Sequence, residues 1–236
     1  MMGSLAVFPT LLVFGPQTNL PSLELLAELR QELIANPRLA CLQKAIQNLP
    51  KFWQTLSEFD ATLNRSQGAK YLSDLQQWID NGVFPQHLDS LPNVFVLPLT
   101  VILQILLYVH YLNTLHIKDA HRHVLQAAEA GGTQGFCVGF LTAIAVNCAR
   151  SEEDIAEIGA VSLRLAVLAG AYVDQDGCFA VPPNQTACIA VRWRTGSFNQ
   201  YEVANLIRTY PEVRRLLKLT CQRANFLATG VYLEYQ

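Results

Sequence analysis

The chain has 236 residues, enough for one large domain or a large one with a small companion. It is 51% hydrophobic and only 15% charged, with a net charge of −2. That balance speaks against a nucleic-acid binder or a basic membrane-surface binder, and it predicts a strongly buried α/β core or a surface covered by something else. The six cysteines are Cys41, Cys137, Cys148, Cys178, Cys188 and Cys221. They form no C-x-x-C pair and sit near no histidine at zinc spacing, so no metal site is expected. The apolar start lacks the basic segment of a signal peptide, so free thiols in a reducing, cytoplasmic compartment are expected.

In chain order, Leu11 to Phe14 is a short apolar run closed by Gly15-Pro16, which predicts a central parallel strand. Gln17 and Thr18 follow at its carboxyl end, the edge of an open α/β sheet where ligands bind, although a polar turn reads the same way. Residues 22–56 carry leucines at helical spacing, with Pro37 and Pro50 as breaks. Tyr71, Leu72, Leu75 and Trp78 predict a short helix in the looser stretch 60–92, and the whole is expected to be a helical insertion covering the sheet. Residues 94–112 are nearly all apolar and long enough to cross a membrane. Pro98, Thr100, Gln104 and His110 interrupt them, so a helix buried against a sheet is expected instead, with His110 a core residue. His116, His121 and His123 lie on a more polar piece and are read as surface.

Residues 131–150 hold the strongest chemical signal. Gly135-Phe136-Cys137-Val138-Gly139 is a G-x-C-x-G pentapeptide followed by an apolar, helix-length run. This is the pattern of a nucleophile elbow with cysteine in place of serine. A side chain shown on a sharp strand-to-helix turn needs small neighbours, and the helix behind it aims free N–H groups at the displayed atom. Cysteine is also a small hydrophobe that is often buried, and the pentapeptide alone leaves that reading open. Ser151-Glu152-Glu153-Asp154 then starts a helix expected to stop near Gly170, followed by a turn at 174–177. From Cys188 a strand is expected, then an amphipathic helix over 200–210. The chain is thus divided into an α/β core with a helical insertion over 1–185 and a small, partial α+β subdomain over 186–236.

Three stretches together resemble the starter-unit acyl carrier protein transacylase domain of fungal non-reducing polyketide synthases. They are Phe14-Gly15-Pro16-Gln17-Thr18, Leu97-Pro98-Leu99-Thr100 opening the apolar helix, and Gly135-Phe136-Cys137-Val138-Gly139; Leu163-Arg164-Leu165 adds to them. The resemblance implies an α/β-hydrolase-like large subdomain, as in malonyl transacylases, and a ferredoxin-like small one. It implies that Cys137 takes an acyl group from a coenzyme A or carrier-protein thioester and passes it to the phosphopantetheine thiol of an acyl carrier protein. It implies backbone N–H groups of Gln17 and Val138 as the oxyanion hole, and no permanently bound cofactor. Malonyl transacylases place an arginine for the substrate carboxylate where this chain has Ala169, so a plain monocarboxylic acyl group is expected.

The family's histidine base lies beyond the small subdomain, and no histidine follows His123 here. Two expectations stand beside the transferase. One is a truncated or catalytically impaired module that docks on a polyketide synthase or carrier protein. The other is a thioester or lactone hydrolase with His87 or His110 as its base. Unpaired edges and apolar surface in a truncated subdomain would favour a partner or a homo-oligomer.

Overall fold

The computed structural model describes residues 11–15, 21–65, 67–85, 91–129, 131–175, 188–191 and 231–234. The chain divides into two compact units, Met1–Asp176 and Gly177–Gln236. In the second, β3 (Cys188–Val191) pairs antiparallel with β4 (Val231–Glu234). The helix expected over 200–210 and the division expected at 185/186 lie outside the described residues.

In the first unit β1 (Leu12–Phe14) and β2 (Thr133–Gly135) form a two-stranded parallel sheet, with Leu12 opposite Thr133 and Phe14 opposite Gly135. The rest of this unit's described residues are mostly helical, an arrangement compatible with an α/β fold. Leu12 and Phe14 are buried but Val13 is 52% exposed. Among the described residues, then, β1 has one strand neighbour and one covered face, rather than the two expected of a central strand.

α1 (Leu23–Ala35) begins where Ser22 Oγ accepts from the Leu25 N–H. Pro37 starts a 3₁₀ turn (Pro37–Leu39) leading into α2 (Ala40–Gln47). Pro50 sits in the first turn of α3 (Leu49–Phe59), where its missing N–H costs nothing. After a second 3₁₀ turn (Ala61–Arg65), α4 (Gly68–Asn81) ends on Gly82 at φ +75°. The Arg30 guanidinium donates to the Trp78, Ile79 and Asp80 carbonyls, so α1 satisfies the open end of α4.

α5 (Asn93–Thr114) is the axis of the unit, and α8 (Glu152–Gln175) packs along it. α1, α2 and α4 pack on these two helices, so the helical insertion covers α5 and α8 more than the sheet. By length and hydropathy both long helices could cross a membrane, yet most of α5 is core. The Leu97–Thr100 segment lies inside α5 rather than opening it. α8 does not stop at Gly170. That residue is bare because a β-carbon there would meet the Asn93 and Val94 backbone, so the glycine serves helix contact, not termination. Of the turn expected at 174–177, Asp174 and Gln175 belong to the last turn of α8, and 176–177 lie outside the described residues.

This contact lets Asp174 cap α5. Its carboxylate accepts from Asn93 N–H (3.0 Å), the Asn93 side-chain amide (2.9 Å) and Val94 N–H (2.8 Å). A carboxylate at a helix N-terminus meets both orphan donors and the positive helix end. Asp174→Ala is expected to cost about 1–2 kcal/mol, read as a lowered urea midpoint with unchanged slope.

Two histidines are placed against expectation. His110 is exposed, on the turn of α5 that faces α1, and lines a surface depression with Leu25, Glu28 and Glu32. His121, on α6 (Ala120–Ala127), is 2% exposed. The periodicity of a polar helix hid it: His121 lies with Ala120 and Val124 on the buried side, while His123 points out. His121 Nε2 donates to the Ala149 carbonyl (3.1 Å), and Nδ1 accepts from the Tyr108 hydroxyl (2.9 Å). This neutral tautomer satisfies both partners. Burial lowers the His121 pKa; the Ala149 hydrogen bond and the charges of Glu152 and Asp154 oppose the shift. The unfolded chain therefore binds the proton first as pH falls. Stability from this residue is complete above pH ~6.5 and is lost below it, by at most about 1.4 kcal/mol per pH unit. Urea titrations from pH 8 to 5 are expected to show this acid loss, and His121→Gln is expected to flatten it.

Candidate functional site

The site is built where β2 turns into α7 (Gly139–Cys148). Cys137 stands at the turn with φ +54°, a left-handed conformation that costs a non-glycine residue roughly 1–3 kcal/mol. Its side chain is exposed and has no hydrogen-bond partner among the described residues. The turn is closed by Gly139 N–H to Phe136 O (2.9 Å) and Phe140 N–H to Cys137 O (3.1 Å).

The two glycines have separate jobs. A β-carbon on Gly135 would overlap the Phe140 and Gly139 backbone, so Gly135 lets the helix fold back over its own strand. A β-carbon on Gly139 would overlap the carbonyl of Phe14 and approach that of Gly15, so Gly139 lets α7 start against the end of β1. The Phe136 N–H donates to Phe14 O (2.8 Å) and locks the two segments together.

The start of α7 is electrostatically open. Val138 is its N-cap and makes no side-chain cap, and the first turn carries no acid. The Val138 N–H meets no acceptor among the described residues. This one free donor and the helix dipole favour a negative atom beside Cys137. Gln17, the other expected oxyanion donor, lies outside the described residues, as does His87. Gly15, two residues before Gln17, is described: its carbonyl accepts from the side-chain amide of Gln104 on α5. In the sequence Gln104 stands out as an amide inside a hydrocarbon helix.

No described histidine is hydrogen-bonded to Cys137. His121 binds Ala149, past the far end of α7, which at 1.5 Å per residue is about 15 Å from the helix start. The depression lined by His110 includes no elbow residue. Among the described residues no cluster of metal-ligating side chains occurs.

The family model of the starter unit:ACP transacylase in aflatoxin biosynthesis matches residues 12–187. The 5-methylorsellinic acid synthase of Aspergillus terreus is 39% identical over 203 residues, covering 86% of this chain and 8% of that protein. The non-reducing polyketide synthase pkbA of Emericella nidulans is 40% identical over 197 residues, 81% of this chain and 8% of that protein. The methylphloroacetophenone synthase of Cladonia uncialis is 37% identical over 205 residues, again 86% and 8%. The match to the family model runs from β1 through the elbow and the whole of α8, and the chain belongs to the starter unit:ACP transacylase family of fungal non-reducing polyketide synthases. It spans less than a tenth of the length of these relatives.

The strain at Cys137 is measurable. Cys137→Gly removes the β-carbon from a left-handed position and is expected to raise stability by about 1 kcal/mol, whereas Cys137→Val is expected to lower it. Urea midpoints of the three proteins decide the matter.

Proposed function

We propose that this chain is a starter-unit acyltransferase of polyketide biosynthesis working through a Cys137 acyl-enzyme. The observation that carries the reading is the exposed Cys137 at φ +54° before an uncapped helix start. The Cys137 thiolate attacks the carbonyl of an acyl-coenzyme A or acyl-carrier thioester. The oxyanion forms between the N–H groups of Val138 and Gln17, each worth about 3 kcal/mol in comparable sites. Collapse breaks the old C–S bond and releases the departing group as a thiolate, which takes its proton from solvent. The phosphopantetheine thiol of an acyl carrier protein then repeats the attack on the acyl-cysteine. Exchange of one thioester for another is nearly isoenergetic, so the intermediate is no trap. A thiolate can also form ahead of attack, its proton going to solvent.

The large unit is read as hydrolase-like, with the elbow at the carboxyl end of a parallel strand as support. Ala169 on the exposed side of α8, where malonyl transacylases carry an arginine, supports a monocarboxylic acyl group. A cytoplasmic setting follows from the same reading. Incubation with acetyl-, butyryl- or hexanoyl-coenzyme A is expected to add one acyl mass to the native protein and none to Cys137→Ala, with malonyl-coenzyme A giving no adduct. Iodoacetamide at pH 7 is expected to label Cys137 ahead of Cys41 and Cys148, which are also exposed. Equal, slow labelling of all three with no acyl adduct would leave only a docking module.

A further inference from the structure

We infer that the seam between α7 and α8 receives the acyl chain carried by Cys137, which makes a straight, apolar chain of about five to eight carbons the substrate class. The inference rests on the transacylase reading above. Only Ala149, Arg150 and Ser151 separate the two helices, so they pack as antiparallel neighbours. Ser162 Oγ of α8 donates to Leu141 O of α7 (2.9 Å) and fixes their register. From that bond the helical period sets which residues flank the seam. On α7, Leu141, Ile144 and Cys148 share one side, with Cys137 at its head, four residues before Leu141. On α8, Ile158, Ser162, Leu165 and Ala169 share the side that makes the bond. With the helices antiparallel, Leu165 lies level with the elbow end of α7 and Ile158 level with Ile144.

The seam is apolar throughout. Leu141 and Ile158 are partly buried against the core and form its floor. Ile144 is 37% and Leu165 47% exposed, and Phe140 and Val161 continue the apolar surface outward. No charged side chain lies on either stripe. Single exposed apolar residues need no explanation, but two facing stripes that begin at a strained, exposed thiol do. Six side chains fall far short of the roughly 20–30 residues a side that a stable protein interface uses, so the occupant is small. It is also uncharged along its length, since a carboxylate in the seam would find no cation on either stripe. An acyl group on Cys137 is delivered to the head of the seam by its own covalent bond. At about 1.5 Å per helical residue, Leu141 and Ile144 stand about 6 and 10 Å along from Cys137. An extended chain advances about 1.3 Å per carbon, so roughly five carbons reach Leu141 and roughly eight reach Ile144.

The dependence of rate on chain length tests this directly. In the full chain, single-turnover acylation of Cys137 is measured with straight-chain acyl-coenzyme A from two to ten carbons. One side of a chain in an open seam stays wet, so the rate is expected to rise about twofold per added methylene, half the free energy of full burial, and to level near eight carbons. Ile144→Gln is expected to bring that plateau back to about five carbons. Leu165→Gln is expected to lower the ratio of hexanoyl to acetyl rates about fivefold. Both positions are exposed, so neither substitution opens a cavity. Phe59→Gln, at a 91% exposed apolar position on α3 outside the seam, is expected to keep the wild-type profile. Wild-type rates within twofold of one another from two to eight carbons would overturn the inference while leaving the acyl-enzyme intact. So would a length dependence that neither seam variant changes. Absence of an acyl adduct from every chain length would instead remove the transacylase reading, and this inference with it.

Discussion

The start of α7 lies so near the end of β1 that Gly139 has no room for a β-carbon against the Phe14–Gly15 backbone. The rest of the site follows from this approach. With the helix pressed to one strand end and Gly135 clearing the fold-back, the chain between them has only Phe136, Cys137 and Val138 in which to reverse. The reversal is made with one residue in the left-handed region, and that residue is Cys137. Its exposure is a consequence: the side chain on the apex of so tight a turn projects away from both elements it joins.

A helix packed through hydrocarbon faces alone has no unique depth or rotation. Here α7 is pinned along its length by polar side chains from other helices, each spent on a backbone carbonyl. Ser162 of α8 donates to Leu141 O (2.9 Å), and His121 of α6 donates to Ala149 O. Gln104 of α5 holds the Gly15 carbonyl beside the helix start. Tyr108 links the last two tethers, since its hydroxyl meets His121 and its ring packs edge-on against Phe14 at 6.1 Å. Burial pushes the Tyr108 pKa far up, so its proton stays in place for His121 Nδ1. The outer face of α7, by contrast, is left apolar and open at Phe140 and Ile144.

Local chemistry made much of this readable. Ser22, Pro50, Gly82 and Ser151 act at helix ends where their residue types predict, with Ser151 Oγ accepting from the Asp154 N–H at 3.2 Å. The sharp strand-to-helix turn was legible because two glycines around a single residue before an apolar run suit a crowded reversal. What failed was whatever depended on a distant partner. Gly170 read as a stop because a glycine that ends a helix and one that admits a crossing helix look alike until Asn93 is placed beside it. His110 and His121 exchanged places because an apolar helix still has one outward turn and a polar helix one inward stripe. The Asp174 cap joins residues 81 apart in sequence, beyond any periodicity.

Cys137 could earn its place in two ways, and energetics separates them. A cysteine kept as a small hydrophobe gains by leaving water, about 0.8 kcal/mol for each buried methylene-sized group. Cys137 is exposed and gains none of this, while its backbone conformation costs free energy. Both terms point away from a packing role. The cost is sustained because Gly135, Gly139 and the Phe136–Phe14 hydrogen bond fix the turn from both sides, leaving the residue no relaxed alternative. Strain held by rigid surroundings at an exposed sulfur, beside the Val138 N–H that meets no described acceptor, is stability exchanged for position. The same rigidity fixes the Val138 N–H beside that sulfur, so one donor at the turn is oriented by the fold alone.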